Sequence, residues 1–169
     1  MPASSPQVLY TPAQRARRDA TAWTMVQGIL APVQFLIFGI SLYLVINSLQ
    51  TGEHTDWALA SVVLKTVVLY AIMVTGAIWE KVVFGQYLFA PAFYWEDVVS
   101  MGVMVLHTAY VWAWWQGAWS ANDLLWLALA AYGSYAINAA QYIRKLRMAR
   151  LQKQPSSTSL PDTGAQAST

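Results

Sequence analysis

The chain is 169 residues long, with 57% hydrophobic, 14% aromatic and only 11% charged residues, and a formal net charge of +2. A soluble domain carries about 25% charged residues, so this composition excludes an ordinary soluble globule and points to a one-domain membrane protein. The absence of cysteine excludes disulfides, iron–sulfur clusters, thiolate metal sites and a cysteine nucleophile, and basic residues placed beside apolar runs offer no patch for nucleic acid.

In chain order, residues 1–10 are polar and turn-prone and are expected to be loose. Thr11-Pro12-Ala13-Gln14 reads as a helix start: Thr11 can cap, Pro12 suits the first helical position and Gln14 can close a capping box. Arg15, Arg17 and Arg18 follow. Four apolar runs come next, at 23–49 (interrupted by Pro32), 57–78, 98–119 and 124–143. A membrane-spanning helix needs roughly 20 such residues, and all four runs qualify. The expected fold is therefore all-α, a polytopic membrane protein built as a four-transmembrane-helix bundle. It divides into an N-terminal segment with a short basic helix (1–21), a transmembrane domain (22–144) and a basic C-terminal flank with a disordered tail (145–169). The tail from Gln154 is rich in Ser, Thr, Pro, Gly and Ala, a composition that cannot bury a core.

Lys and Arg set the orientation of such a bundle. They occur before the first run (Arg15, Arg17, Arg18), in the middle loop (Lys81) and after the fourth run (Arg144, Lys145, Arg147, Arg150, Lys153), and are missing from the first and third loops. Only Lys65 lies within a run. Both termini and the middle loop are thus expected on the cytoplasmic side. Trp23, Trp57, Trp79, Trp95 and Trp119 lie near run ends, as an aromatic belt does. The middle loop, 84–95, is too apolar for a solvated loop and is expected to lie in the interface or fold over the bundle mouth. Two similar pieces flank it, Trp79-Glu80-Lys81-Val82-Val83 and Trp95-Glu96-Asp97-Val98-Val99, readable either as a repeat or as two interfacial helix ends.

Ionisable groups inside a bilayer are costly and mark function by default. Lys65 and His107 are the two here. Helical periodicity puts Ser61, Lys65, Ile72, Gly76 and Glu80 on one stripe, and Glu96, Ser100, His107 and Trp114 on another. Gln27, Gln34 and Ser41 line the first run; Ser134, Asn138, Gln141 and Tyr142 line the fourth. At 1.5 Å per residue, Lys65 lies about 21 Å from Trp79, and His107 about 15 Å from Asp97. The expected feature is a pocket open to the cytoplasm, floored by His107 and Lys65, with Glu80, Glu96 and Asp97 at its mouth. The plain alternatives are a snorkelling Lys65, a His107 that merely bonds a neighbouring helix, solvated carboxylates at helix ends, and Gln and Asn residues acting as interhelical glue.

Several long blocks resemble the vinyl hydratase family of bacteriochlorophyll biosynthesis. They are Tyr10-Thr11-Pro12 with Gln14-Arg15-Ala16-Arg17-Arg18-Asp19-Ala20, Trp23 to Pro32 with Gln34-Phe35, Lys65-Thr66 with Leu69-Tyr70 and Ile72 to Gly76, and Trp79-Glu80-Lys81. Tyr87-Leu88-Phe89-Ala90-Pro91-Ala92-Phe93 with Trp95-Glu96-Asp97, Leu106-His107-Thr108-Ala109-Tyr110 and Asn138-Ala139-Ala140-Gln141 complete the likeness, which covers about residues 8–152. The resemblance implies a hydro-lyase that adds water to the C3 vinyl group of a chlorophyllide or bacteriochlorophyllide, giving a 1-hydroxyethyl group. It also implies the cytoplasmic or intracytoplasmic photosynthetic membrane of a bacterium, and other enzymes of that pathway as partners.

Vinyl hydration needs a proton at the terminal carbon and a water at the inner one, and no cofactor beyond the magnesium the substrate brings. A carboxyl in an apolar pocket favours its neutral form and can serve as the acid. The catalytic candidates are Glu80 and Glu96, then Asp97, with His107 either as the partner base or as an axial ligand to the substrate's magnesium. No metal held by protein groups alone is expected. The substrate-binding candidates are Lys65, Gln34, Tyr94, Trp95, Asn138, Gln141 and Arg144. Lys65 is placed for a carboxylate or a ring carbonyl, and Arg144, Lys145 and Arg147 lie where a pigment propionate would emerge. Two competing readings use the same residues: a non-catalytic tetrapyrrole-binding or assembly protein, and a small transporter with Lys65 in its pore.

Overall fold

The structure, a computed structural model, describes residues 9–151, without the side chains of 149–151. The expected loose start falls mostly outside the described residues, and the expected disordered tail falls outside them altogether. Those described form five α-helices: α1 Pro12–Ala20, α2 Ala22–Thr51, α3 Thr55–Phe84, α4 Tyr94–Gln116 and α5 Ala121–Leu151.

Helix α1 starts as its sequence requires. Gln14 N–H donates to Thr11 Oγ1 at 3.2 Å, and Thr11 N–H donates to Gln14 Oε1 at 2.9 Å, closing the capping box. The helix is fastened to the far end of α3. Thr24 Oγ1 donates to the Arg18 carbonyl at 2.6 Å and accepts Trp79 Nε1–H at 2.9 Å. Tyr10, just before α1, stacks on Phe84 at 5.8 Å with the Arg18 guanidinium 4.8 Å over its ring. Burial pushes the Tyr10 phenol above its ordinary pKa, outweighing Arg18, which favours the phenolate.

Helix α2 runs on through Pro32 without a break in the helix. A proline cannot supply its N–H and crowds the carbonyl four residues back; apolar spanning helices absorb this through neighbouring groups. Helix α4 ends at Gln116, three residues before the apolar run does, because Gly117 turns the chain at φ 63. Conversely, α3 and α4 extend past their apolar runs toward the middle loop and carry Glu80, Glu96 and Asp97 on helix. Thirty residues make α3 about 45 Å long, more than the roughly 30 Å of a hydrocarbon core, so Glu80 lies near its end.

The helices pair as two hairpins, α2 with α3 and α4 with α5, and the hairpins touch each other less than their own helices do. One end of the core holds Val45, Val62, Tyr110, Leu125 and Tyr132. Leu69, Val103 and Tyr135 pack in the middle, and Tyr10, Val83 and Phe93 pack beneath the middle loop. Between helices, Ser41 Oγ meets Ser61 Oγ at 2.6 Å and also the Tyr132 hydroxyl, and Gln27 Nε2 donates to Thr75 Oγ1 at 2.7 Å. Gln27 is thus interhelical glue. Leu36, Val67, Val105, Trp115 and Ile137 point outward, exposed, as lipid-facing side chains do. Trp114, expected on the inner stripe, is 40% exposed.

Three helices, α2, α3 and α4, are long and apolar enough to cross a membrane. Helix α5 is as long, but Tyr132, Ser134, Tyr135, Asn138, Gln141 and Tyr142 lower its apolarity. Several of these face inward, with Tyr132, Tyr135 and Asn138 buried.

Candidate active site

The start of α2, the end of α3, the start of α4 and the end of α5 lie at one end of the bundle, with Arg15, Arg17, Arg18, Lys81 and Lys145. Here α3 contributes Glu80, and the first turn of α4 contributes Glu96 and Asp97; all three are buried. The positive end of the α4 dipole favours acidic groups at that position.

Glu80 and Asp97 lie together beneath the middle loop, near enough for each carboxyl to act on the other. Two ionised carboxylates so placed repel, which favours one proton held between them. Asp97 Oδ2 accepts Phe89 N–H at 2.7 Å, and its Oδ1 accepts the Tyr142 hydroxyl at 3.3 Å. Glu80 Oε2 accepts Ala90 N–H at 3.3 Å. Glu96 faces a different partner, Lys145 Nζ, at 2.8 Å. Below it, Ser100 Oγ donates to the Glu96 carbonyl at 2.8 Å and accepts Asn138 Nδ2–H at 2.6 Å.

Loop 85–93 closes over the pair. Gly85 leaves α3 at φ 91, and Phe89 takes φ 60, a left-handed conformation that costs a non-glycine residue roughly 1–2 kcal/mol. The Asp97 carboxylate on its N–H holds it there. Phe93 anchors the loop, 5.7 Å from Trp79, 5.8 Å from Phe84 and 6.1 Å from Tyr142, ring to ring. The aromatic floor is therefore Phe93, Trp79 and Tyr142. Tyr94 and Trp95 are 47% and 69% exposed on the outer rim, and Arg144 is exposed as well; none of the three joins the carboxyl pair. The two similar pieces take unlike roles, since Trp79 packs inward and Trp95 outward.

Deeper in the bundle lies a second polar group: Gln34 on α2, Lys65 on α3 and His107 on α4, exposed by 2%, 0% and 0%. His107 Nδ1 meets the Val103 carbonyl at 2.8 Å, and Lys65 Nζ sits 3.6 Å over the Tyr135 ring. Gln34 Nε2 and Oε1, Lys65 Nζ and His107 Nε2 make no hydrogen bond within the protein, nor does Gln141 Oε1 nearer the loop. Lys65 thus neither snorkels nor pairs with a carboxylate among the described residues. The single pocket expected from the sequence is divided in two: a carboxyl cluster under the loop, and a sealed mid-bundle group about 15 Å away along α4. A cleft of about 580 Å³ at the opposite end, lined by Trp119, Asp123 and Trp126, is remote from both; its Asp123 accepts the Ser120 hydroxyl at 2.6 Å.

A sequence profile of the family described as 2-vinyl bacteriochlorophyllide hydratase (BCHF) matches residues 10–148. The chain belongs to this family. Among similar proteins, the 2-vinyl bacteriochlorophyllide hydratase of Rhodobacter capsulatus is 63% identical over 148 residues, covering 88% of this chain and 86% of the relative. The protein of that name from Cereibacter sphaeroides is 64% identical over 150 residues, covering 89% and 93%. No solved structure matches the chain.

The family match spans every residue of both clusters, Gln34 through Lys145. From the sequence, Tyr142 is expected only as part of the inward face of the fourth run and Lys145 only beside an emerging propionate, and the Phe89 and Ala90 amides have no expected role. Tyr142 lies on the same α5 face as Asn138, one turn on, so its spacing was a usable signal. Lys145 stood in the basic flank with nothing to separate it from Arg144 and Arg147. The amides of Phe89 and Ala90 carry no side-chain signature.

Proposed function

We propose that this family member hydrates the C3 vinyl group of a chlorophyllide or bacteriochlorophyllide; its relatives are named 2-vinyl bacteriochlorophyllide hydratases. The observation that carries the mechanism is the burial of Glu80 and Asp97 together beneath loop 85–93, each accepting a loop amide; such a pair of neighbouring carboxyls favours keeping one proton, which it can give. The pair's proton goes to the terminal vinyl carbon, forming a C–H bond from the π electrons and leaving a cation at the inner carbon, conjugated with the macrocycle. A water oxygen bonds to that carbon, and the proton it sheds returns to the pair. The sum is vinyl plus water to 1-hydroxyethyl, a balance that calls for no oxidant, reductant or nucleotide; we therefore propose no cofactor. Glu96 is engaged by Lys145 at 2.8 Å and lies apart from the pair, so it fits this role less well.

The same reading makes α5 the fourth span, with its polar face turned to the bundle and the basic end on the cytoplasmic side of a bacterial inner membrane. Lys and Arg residues gathered at one end, and none in the connections 50–56 and 117–123 near the other, support that orientation. A pigment dissolved in the bilayer would reach the aromatic rim directly, and membrane enzymes of the same pathway would supply and receive it.

The test is to add purified protein in detergent to 3-vinyl chlorophyllide a. A blue shift of the red band with a mass gain of one water is expected. Pigment that binds without gaining water would instead identify a carrier.

A further inference from the structure

We infer that Gln34, Lys65 and His107 form a docking site for a magnesium-bearing macrocycle, with His107 Nε2 on the central magnesium and Lys65 and Gln34 donating to a carbonyl at the ring edge. This rests on the hydratase reading for the identity of the pigment and on the mid-bundle geometry for the rest. Each of the three side chains is essentially fully buried, and each has polar atoms with no partner in the protein. An uncompensated charge or amide there costs from about 1 to several kcal/mol. Such a cost is retained where a ligand offsets it.

The unpartnered atoms say what that ligand offers. His107 Nδ1, held against the Val103 carbonyl at 2.8 Å, carries the proton, so Nε2 presents a lone pair, the form in which an imidazole ligates a metal. Lys65 Nζ and Gln34 Nε2 are donors and ask for an oxygen acceptor. One ligand supplies both: a flat metal chelate with a peripheral carbonyl. Aromatic rings border the group. The Tyr132 ring lies 5.9 Å from the His107 ring, and Phe38 lies 5.3 Å from Tyr132 and 4.8 Å from Tyr135.

The placement also gives an entry path. Gln34 and Lys65 belong to the α2–α3 hairpin, His107 and Tyr135 to the α4–α5 hairpin, and the two hairpins meet along the more sparsely packed seam. A macrocycle entering between them from the lipid would meet all three polar groups at once.

The test compares binding of Mg-chlorophyllide and its Mg-free pheophorbide to the intact protein in detergent, followed by tryptophan quenching. The wild type should bind the magnesium pigment roughly tenfold more tightly or better, with a five-coordinate magnesium signature in resonance Raman spectra. His107→Ala should lower magnesium-pigment affinity to the pheophorbide level, leave pheophorbide affinity unchanged, and regain binding with added imidazole. Lys65→Met and Gln34→Leu should raise the frequency of a pigment carbonyl stretch. Equal affinity of the wild type for both pigments, a comparison that needs no variant to fold, would overturn the proposal even if vinyl hydration proceeds, since only ordered water would then satisfy the three groups. Magnesium-selective, His107-dependent binding without hydration would uphold this site and overturn the hydratase reading.

Discussion

Three carboxyl groups share one end of the bundle, and their partners separate their roles. Glu80 and Asp97 lie together and accept loop amides, whereas Glu96 holds Lys145. Glu80→Gln is expected to keep pigment binding and lose about 10²–10⁴-fold in hydration rate, the usual worth of a positioned general acid; single-turnover loss of the vinyl absorption reads this directly. Retained activity in that variant would remove Glu80 as the acid. Glu96→Gln acts on stability instead. It weakens a half-buried charge-assisted hydrogen bond worth roughly 1.5–3 kcal/mol and should lower the melting temperature in detergent while leaving the hydration rate within about tenfold, well short of the Glu80→Gln loss. Both effects follow from neighbours, since Glu80 and Glu96 are chemically the same side chain at two similar sequence positions.

At the level of elements, loop 85–93 and helix α1 bring the site together. The loop leaves α3 through Gly85 at φ 91, and a Cβ there would meet nothing within 4 Å. The cost of Gly85→Ala is therefore the backbone conformation alone, roughly 1–2 kcal/mol, and a matching loss is expected in thermal unfolding of the detergent-solubilised protein. A loss several times larger would mean that the loop also closes on a contact made at this position. Helix α1 depends on its cap: Thr11→Ala should cost about 1 kcal/mol and loosen the Tyr10–Phe84 stack, seen as faster proteolysis ahead of α2. The loop amides occupy the oxygens of the carboxyl pair, so loop and acid act as one unit.

Across the whole molecule, the distribution of charge and the hairpin pairing matter most. Because the chain has no cysteine, single cysteines introduced on the surface report topology cleanly. With the proposed orientation, Glu53→Cys and Ala121→Cys should label with a membrane-impermeant maleimide added outside intact cells, and Gln86→Cys only after the membrane is opened. Labelling at Glu53 but not at Ala121 would mean that α4 and α5 do not cross as a pair, and the reverse that α2 and α3 do not. Either result would also remove the seam between hairpins as an entry path.

How much of this was legible in the sequence differs by feature. The sequence by itself determined the helices, the basic end and the α1 cap. An apolar run, a Lys or Arg count and a Thr–Pro–x–Gln start are local signals, and the forces behind them act over one turn or across one bilayer. It also showed which residues share a helix face. Only the tertiary structure decided which faces meet. Asp97 is joined to Tyr142 across 45 residues of chain, and Glu96 to Lys145 across 49. Periodicity sets the direction of a side chain relative to its own helix, but the rotation and depth of one helix against another come from packing of the whole bundle. For that reason Glu80 met Asp97 and not Glu96, Trp95 turned outward while Trp79 turned inward, and the single expected pocket resolved into a carboxyl pair beneath a loop and a sealed polar group at the bundle centre.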